Sequence, residues 1–143
     1  MILNTTHHNP DHKQIIADLV GDAFSLVQKL KMKGIGSKRM IIDEVSPNMQ
    51  SMMNSVSDIN YGSIELRPKG ILVRITKGLK SFTWIIPYYQ LVIYKVNGSS
   101  IHAQGRYIHF RNSKTFQENK KFFDKLLDEK VKYDMQYAMP QFI

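Results

Sequence analysis

The spacing of apolar residues along this chain changes from a helical period to a strand period and back again. Asn9 and Pro10 form a favourable helix start, with Asn as the N-cap and Pro at the first helical position. Beyond them, apolar residues recur at steps of four and three, and Gly34 follows the last one. This stripe consists of Ile16, Val20, Ala23, Val27 and Leu30. The pattern predicts one long amphipathic helix, so that residues 1–36 are expected to form an N-terminal extension.

Alternating apolar and polar residues dominate the middle of the chain, where turn residues separate short segments. Seven segments have this strand pattern: 39–43, 62–67, 71–76, 82–86, 91–96, 101–103 and 106–110. Between the last two, Gln104 and Gly105 suit a two-residue hairpin loop. Such a loop places Ile101 opposite Ile108 on the buried face of the hairpin.

The chain after residue 112 returns to a helical period. Thr115 and Glu118 have the spacing of a capping box. Apolar residues line one side of the helix that follows: Phe116, Phe123, Leu126, Leu127 and Val131. Helices at both ends of a run of antiparallel strands predict an α+β fold, mainly antiparallel β. We therefore expect a domain over residues 37–143 with about seven strands and a C-terminal amphipathic helix.

The composition of the chain excludes several classes of site and function. The 143 residues include no cysteine, which excludes disulfides, thiolate metal sites and cysteine nucleophiles. No apolar run approaches the roughly 18 residues that span a membrane, and a signal-peptide pattern is missing, so we expect a soluble, cytoplasmic domain. The sequence motifs of common hydrolases, metalloproteases and phosphate-binding loops are also missing. We therefore expect neither an enzyme nor a cofactor.

The net charge of +8 lies almost entirely in one part of the chain. Residues 61–111 carry eight Lys and Arg against a single acid, Glu65, for a local charge of +7. The candidate anion-binding residues are Arg67, Lys69, Lys77 and Lys80 at predicted turns, and Arg74 on the outer face of a strand. Clustered cations favour an anionic ligand or nucleic acid, whereas lysines on an exposed edge also keep a sheet soluble. Both interpretations fit the sequence.

A second candidate surface lies on the outer face of the last predicted hairpin. The predicted loop pairs His102 with Tyr107, and strand alternation places His109 and Arg111 on the same face. Aromatic rings beside basic groups can stack on nucleic-acid bases. Exposed cross-strand packing is the simpler interpretation of the same residues.

Imidazole and carboxylate groups near the N-terminus have the chemistry of a metal site. They are His7, His8, Asp11 and His12. Because they lie in or beside a chain terminus with nothing to fix their geometry, we expect no metal site there.

The order of elements in residues 38–143 is typical of one superfamily. The features that carry the likeness are Gly70-Ile71-Leu72-Val73, the segment Phe82-Thr83-Trp84-Ile85-Ile86-Pro87-Tyr88-Tyr89-Gln90-Leu91, the Gln104-Gly105 hairpin and the helix from Phe116. This part of the chain resembles the bacterial pleckstrin-homology-like (PH-like) superfamily. The resemblance implies seven strands in two near-orthogonal sheets, with a C-terminal helix covering one open end of the barrel.

The same resemblance carries expectations about function. Members of this superfamily mostly bind peptides, lipids or other proteins and catalyse no reaction. Lipid-binding members place a Lys and an Arg-x-Arg around their first hairpin. This chain has Lys69 and Arg74, but residue 76 is Thr. Phosphoinositide binding is therefore not implied.

Three hypotheses about function follow. The leading one is a non-enzymatic binding module for a protein partner or an anionic ligand, with the apolar stripe of residues 16–30 contacting a partner or a second copy. The alternative is a nucleic-acid or ribosome-associated protein that uses the strand surface of residues 61–111. The third is a small-ligand binder or enzyme with a pocket between the barrel and a helix, which needs a deep apolar cavity with converging polar groups.

Overall fold

The computed structural model describes residues 1–54 and 59–137, and its central feature is one antiparallel sheet. Eight strands form this sheet within the described residues: β1 (Ile2–Asn4), β2 (Met40–Val45), β3 (Asn60–Arg67), β4 (Gly70–Lys77), β5 (Lys80–Pro87), β6 (Val92–Tyr94), β7 (Gly98–Ala103) and β8 (Arg106–Arg111). Their order across the sheet is β1-β5-β4-β3-β2-β8-β7-β6. The predicted α+β class with antiparallel strands and a C-terminal helix is confirmed.

All seven predicted strands are present, as β2 to β8. The register of the last hairpin is also confirmed, because Ile101 lies opposite Ile108 and both are fully buried. The sheet has one strand more than the seven predicted for residues 37–143, because β1 lies before that range and the sequence gives no sign of it. That strand has three residues and pairs Ile2 with Trp84 of β5. Three residues are too few to display a strand period, so β1 depends on its tertiary partner.

Strand β2 joins the two parts of the sheet. One of its edges pairs with β3 and the other with β8, and the β8 register shifts between Ile42 and Glu44. A bulge of this kind bends a strand and increases its twist. Buried residues from both parts, such as Trp84 of β5 and Ile101 of β7, belong to one hydrophobic core. The bent sheet therefore encloses this core on its inner face.

The β7–β8 turn contacts the other part of the sheet. Gln104 and Gly105 both have left-handed φ angles, 56° and 72°, as two-residue hairpin turns of type I′ require. The Gln104 side chain accepts a hydrogen bond from Trp84 Nε1 at 3.1 Å and donates one to the Ile85 carbonyl at 3.1 Å. These bonds connect the turn to β5.

The single long N-terminal helix is a wrong prediction. The structure has two helices instead, α1 (Pro10–Val20) and α2 (Leu26–Lys31). The break begins at Gly21, whose φ of 89° ends the first helix, and Ser25 starts the second with a capping box. At the break, the backbone N–H of Lys69 donates to the Val20 carbonyl at 2.9 Å. The prediction is wrong because the apolar spacing in the sequence continues across Gly21, where the structure ends α1.

The predicted apolar stripe is consequently not one surface. Ile16 and Val20 pack beneath α1 against Leu72 and Ile85, on the outer face of β4 and β5. Contacts within the chain thus occupy this half of the stripe. Ala23 is exposed between the helices, and Val27 and Leu30 are 61% and 72% exposed on α2. The predicted boundary at residue 36 falls between α2 and β2, and the chain before it contacts the sheet through β1 and α1.

Two consecutive helices, α3 (Lys114–Glu118) and α4 (Lys120–Gln136), replace the single C-terminal helix that the pattern predicts. Ser113, not Thr115, provides the N-cap, because its Oγ accepts from the Phe116 N–H at 3.3 Å. Between the helices, buried Asn119 bonds the backbone N–H and carbonyl of Lys38 at 3.0 and 3.2 Å. The buried apolar side chains of α4 are Phe122, Phe123 and Leu126. No helix in the described part of the chain is long and apolar enough to span a membrane.

Gly70 provides a test of the packing between α1 and the sheet. A Cβ at this position would collide with the Ile86 carbonyl oxygen and would lie 2.5 Å from Val20 Cγ1. Because the Ile86 oxygen is a backbone atom and cannot move aside easily, we expect Gly70→Ala to lower the free energy of unfolding by about 3 kcal/mol. Gly36→Ala is the matched control, since a Cβ there has no atom within 4 Å. Urea unfolding should show a change of less than about 0.5 kcal/mol for this control, and equal losses would contradict the packing.

Candidate functional site

The five predicted anion-binding residues do not converge. Arg67 and Lys69 lie at the β3–β4 turn, whereas Lys77 and Lys80 face each other across the β4–β5 turn. These turns are at opposite ends of β4, a separation of roughly 23 Å at about 3.3 Å per residue. Arg74 lies between them. The structure therefore places these cations in separate locations along one hairpin pair.

Glu65 compensates two of these cations. Its carboxylate accepts from Arg67 Nε at 2.8 Å and from Arg74 Nη1 at 2.8 Å. Burial alone would raise the pKa of the Glu65 carboxyl, but the hydrogen bonds and charges of Arg74 and Arg67 outweigh it and hold that pKa below its ordinary value. The Arg67 side chain is only 13% exposed. We conclude that Arg67 and Arg74 stabilise the outer face of β3 and β4.

The remaining three cations differ in their surroundings. Lys77 Nζ donates to the Ser51 carbonyl at 2.8 Å. Lys69 and Lys80 are exposed, and neither forms an ion pair with any residue in the described ranges. Two separate exposed lysines thus remain available from the predicted cluster.

The second predicted set does share one face of the sheet. His102 lies opposite Tyr107, and their rings stack with centroids 5.2 Å apart and an interplanar angle of 21°. His109 and Arg111 continue the same face of β8. Arg111 pairs with Asp43 at 3.1 Å. The predicted common outer face is confirmed, and the stack indicates cross-strand packing.

Polar partners hold this face in place. The Tyr107 hydroxyl donates to Glu44 at 2.8 Å, and this bond is the main cause of a raised pKa for the phenol. Ser100 Oγ and His109 Nδ1 are 2.7 Å apart in a hydrogen bond. Burial, and then the charge of His109, lower the pKa of His102. His102 is therefore biased toward the neutral ring that stacks on an aromatic neighbour.

The aromatic face extends onto a strand to which the sequence assigns no functional role. Tyr94 of β6 packs edge-on against His102, with centroids 4.8 Å apart. Tyr94 and Val92 are 52% and 47% exposed, and β6 is the last strand in the sheet order. We call Val92, Tyr94, His102 and Tyr107 the β6 surface. The alternation of Val92 and Tyr94 was visible in the sequence, but the position of β6 at the edge was not.

The N-terminal imidazoles lie beside the first turn of α1. His7, His8 and His12 line a cleft of about 260 Å³, and Arg67 also reaches this cleft. Within the described residues, however, no group of three or more His, Asp or Glu side chains is arranged to hold a metal ion. No metal chemistry is assigned to the cleft.

The Glu65 pairing predicts a pH-dependent stability. Glu65→Gln removes the charge between Arg67 and Arg74, and we expect it to lower the free energy of unfolding by about 2 kcal/mol at pH 7. Because the folded pKa of Glu65 lies below its ordinary value of 4.5, this contribution is complete above that value. It is lost as the pH falls through the lower, folded pKa. Chemical unfolding at several pH values measures the difference.

The matched control is Asp43→Asn, which removes a more exposed partner. The side chains of Asp43 and Arg111 are 42% and 52% exposed, so the loss should remain below about 1 kcal/mol. Equal losses for the two variants, or a Glu65→Gln deficit that persists unchanged at pH 3, would contradict the pairing.

Comparisons of this chain with protein-family models, with curated proteins and with solved structures found no match. What the chain binds must therefore be inferred from its own residues and their geometry.

Proposed function

We propose that this chain is a non-enzymatic binding module with a PH-like domain, and that it binds an extended segment of a protein partner at the edge of β6. The PH-like part of the proposal is supported by the element order. Along the chain, a first group of strands, β2 to β5, is followed by a second group, β6 to β8. A C-terminal helix packs on the core that the two groups share. Members of the resembled superfamily mostly bind peptides, lipids or proteins.

One observation carries the choice of β6. An edge strand presents unpaired backbone N–H and C=O groups, and proteins ordinarily protect such edges with charged or covered residues. Here the side chains of Val92 and Tyr94 are half exposed on the outer face, and Val96 just beyond is 71% exposed. Apolar side chains beside an open edge suit the addition of a strand from a partner.

The other edge of the sheet differs in this respect. Ile2 and Leu3 of β1 are partly buried, and they pack against the two hydrophobic clusters of the domain. A segment that adds to β1 would meet few exposed apolar side chains. The contrast between the edges favours β6 as the binding edge.

The neighbouring aromatic rings define the preferred segment. A strand added to β6 would continue the face that carries Tyr94, His102 and Tyr107, so its alternate side chains would lie beside Val92 and Tyr94. We expect aromatic or β-branched residues at these alternate positions. Nucleic-acid binding is less favoured, because Glu65 already compensates Arg67 and Arg74.

The test uses peptides selected from a random library on the full chain. We expect the enriched peptides to carry alternating apolar residues and to slow amide hydrogen exchange of residues 92–94. The double substitution Val92→Lys with Tyr94→Lys places the charges that protect natural edges. It should weaken binding at least about tenfold, because both apolar contacts are lost.

Leu79→Lys is the matched control, since Leu79 is 99% exposed in the β4–β5 turn, away from β6. It should leave the affinity of each selected peptide unchanged. All three substituted side chains are substantially exposed, so thermal unfolding should show that both variants fold. Peptides that bind the double variant as tightly as the wild type, or a selection that enriches none, would refute the proposal.

A further inference from the structure

A second cleft, distinct from the β6 surface, lies between the start of β7 and the C-terminal helices. Its volume is about 260 Å³, near the lower limit of small-molecule sites. Lys95 and Ser99 line it on the sheet side. The lining side chains from α3 and α4 are Phe116, Lys120, Phe123 and Asp124. Its position between sheet and helix is that of the third hypothesis from the sequence.

Ser99 is the unusual residue in this cleft. Its side chain shares the inner face of β7 with Ile101, and the residue is only 1% exposed. Its Oγ has no hydrogen-bond partner among the described residues. A buried hydroxyl without a partner destabilises a fold. Rotation about one single bond directs this hydroxyl, so a polar atom in the cleft could satisfy it.

Two buried side-chain polar atoms in the described part of the chain lack a hydrogen-bond partner, Ser99 Oγ and the Tyr88 hydroxyl, and Tyr88 does not line this cleft. The buried Ser, Thr and Asn side chains other than Ser99 have partners. Ser46 Oγ accepts from the Tyr107 N–H at 3.0 Å, and Thr83 Oγ1 bonds Thr5 Oγ1 at 2.9 Å. Asn119 forms three bonds to backbone groups. The fold therefore satisfies the other buried Ser, Thr and Asn side chains, and Ser99 is the unpaired buried group that lines the cleft.

The apolar walls of the cleft are held in position. The rings of Phe116 and Phe123 lie 5.1 Å apart at 46°, and Phe122 packs edge-on against Phe123 at 6.0 Å. Asn119 lies between α3 and α4 and bonds both backbone groups of Lys38. These contacts fix the two helices relative to each other and to the segment just before β2. A flat apolar group would meet a preformed aromatic wall.

The rim of the cleft has a net positive charge. Lys95 and Lys120 are exposed, and neither pairs with an acid in the described ranges. Asp124 supplies the opposing charge and disfavours ligands with more than one negative charge. The rim is therefore suited to a monoanion.

We propose that this cleft binds a small aromatic monocarboxylate with a hydroxyl group at the end opposite its carboxylate. The aromatic ring contacts Phe116 and Phe123, and the ligand hydroxyl bonds Ser99 Oγ at the buried end. The carboxylate lies at the exposed rim beside Lys95 and Lys120. The ligand hydroxyl thus lies at the buried end of the cleft, the ring at its apolar wall and the carboxylate at its charged rim. This site is independent of peptide binding at β6.

The test is an NMR titration of the full chain with 4-hydroxyphenylacetate as the probe. We expect saturable shifts at the amides of Gly98 and Ser99, with a Kd on the order of 10⁻⁴ to 10⁻³ M for a ligand of this size. Phenylacetate lacks the hydroxyl and should bind about fivefold more weakly. The uncharged 4-hydroxyphenylacetamide should also bind about fivefold more weakly.

Two substitutions separate the hydroxyl from the charge. Ser99→Ala should reduce the preference for 4-hydroxyphenylacetate over phenylacetate to nearly one. It should leave the melting temperature equal to or above that of the wild type, because the hydroxyl loses no bond within the protein. Lys120→Gln should reduce the preference for the acid over the amide. Its neighbour Lys121 does not line the cleft, so the control Lys121→Gln should leave that preference unchanged.

Three results would overturn the proposal. The first is the lack of a saturable shift at Gly98 and Ser99 with any of the three probes. The second is a Ser99→Ala variant that keeps the hydroxyl preference, since another group would then bind the hydroxyl. The third is a Ser99→Ala variant with a clearly lowered melting temperature, which would assign Ser99 a structural role.

Discussion

The bend of β2 is the constraint on which the rest of the domain depends. Among the described strands, β2 alone connects the group of β1, β5, β4 and β3 to the group of β8, β7 and β6. Its bulge between Ile42 and Glu44 changes the register with β8, and its inward side chains Met40, Ile42 and Val45 belong to the shared core. A straight β2 would give a flatter sheet, and Gln104 would then not reach Trp84. The two groups of strands would lose their common core.

The same bend determines which edges remain open. The sheet order begins at β1 and ends at β6, so among residues 1–54 and 59–137 each of these two strands has one edge without a partner strand. The side chains of β1 are partly buried, whereas β6 exposes Val92 and Tyr94. The Gln104 turn ties β8 and β7 to β5, but it does not pair β6 with β1. The exposed apolar edge is thus a consequence of how the sheet curves, and it is the basis for proposing β6 as a binding edge.

The sequence predicts local pairing well and tertiary relations poorly. Strand periods and the Gln104-Gly105 loop were sufficient to predict β2 to β8 and the Ile101–Ile108 register. The helix break at Gly21 was missed because apolar spacing continues past it, and β1 was missed because its pairing with β5 is tertiary. Charge counting identified the basic residues of the middle segment. It could not show that one carboxylate, Glu65, contacts two of them.

The ligand proposed for the cleft rests on polar groups that lack a partner in the described residues, and not on the count of charges. Arg67, Arg74 and Arg111 have carboxylate partners within the chain, so their contribution to the local charge of +7 is largely structural. Ser99 and Lys120 have no such partners among the described residues, and both line one cleft beside Phe123. Ser99 is buried and Lys120 exposed, so a single ligand that satisfies both must be polar at both ends and apolar between them. The depth difference, rather than the number of basic residues, is therefore the basis for the ligand chemistry that we propose.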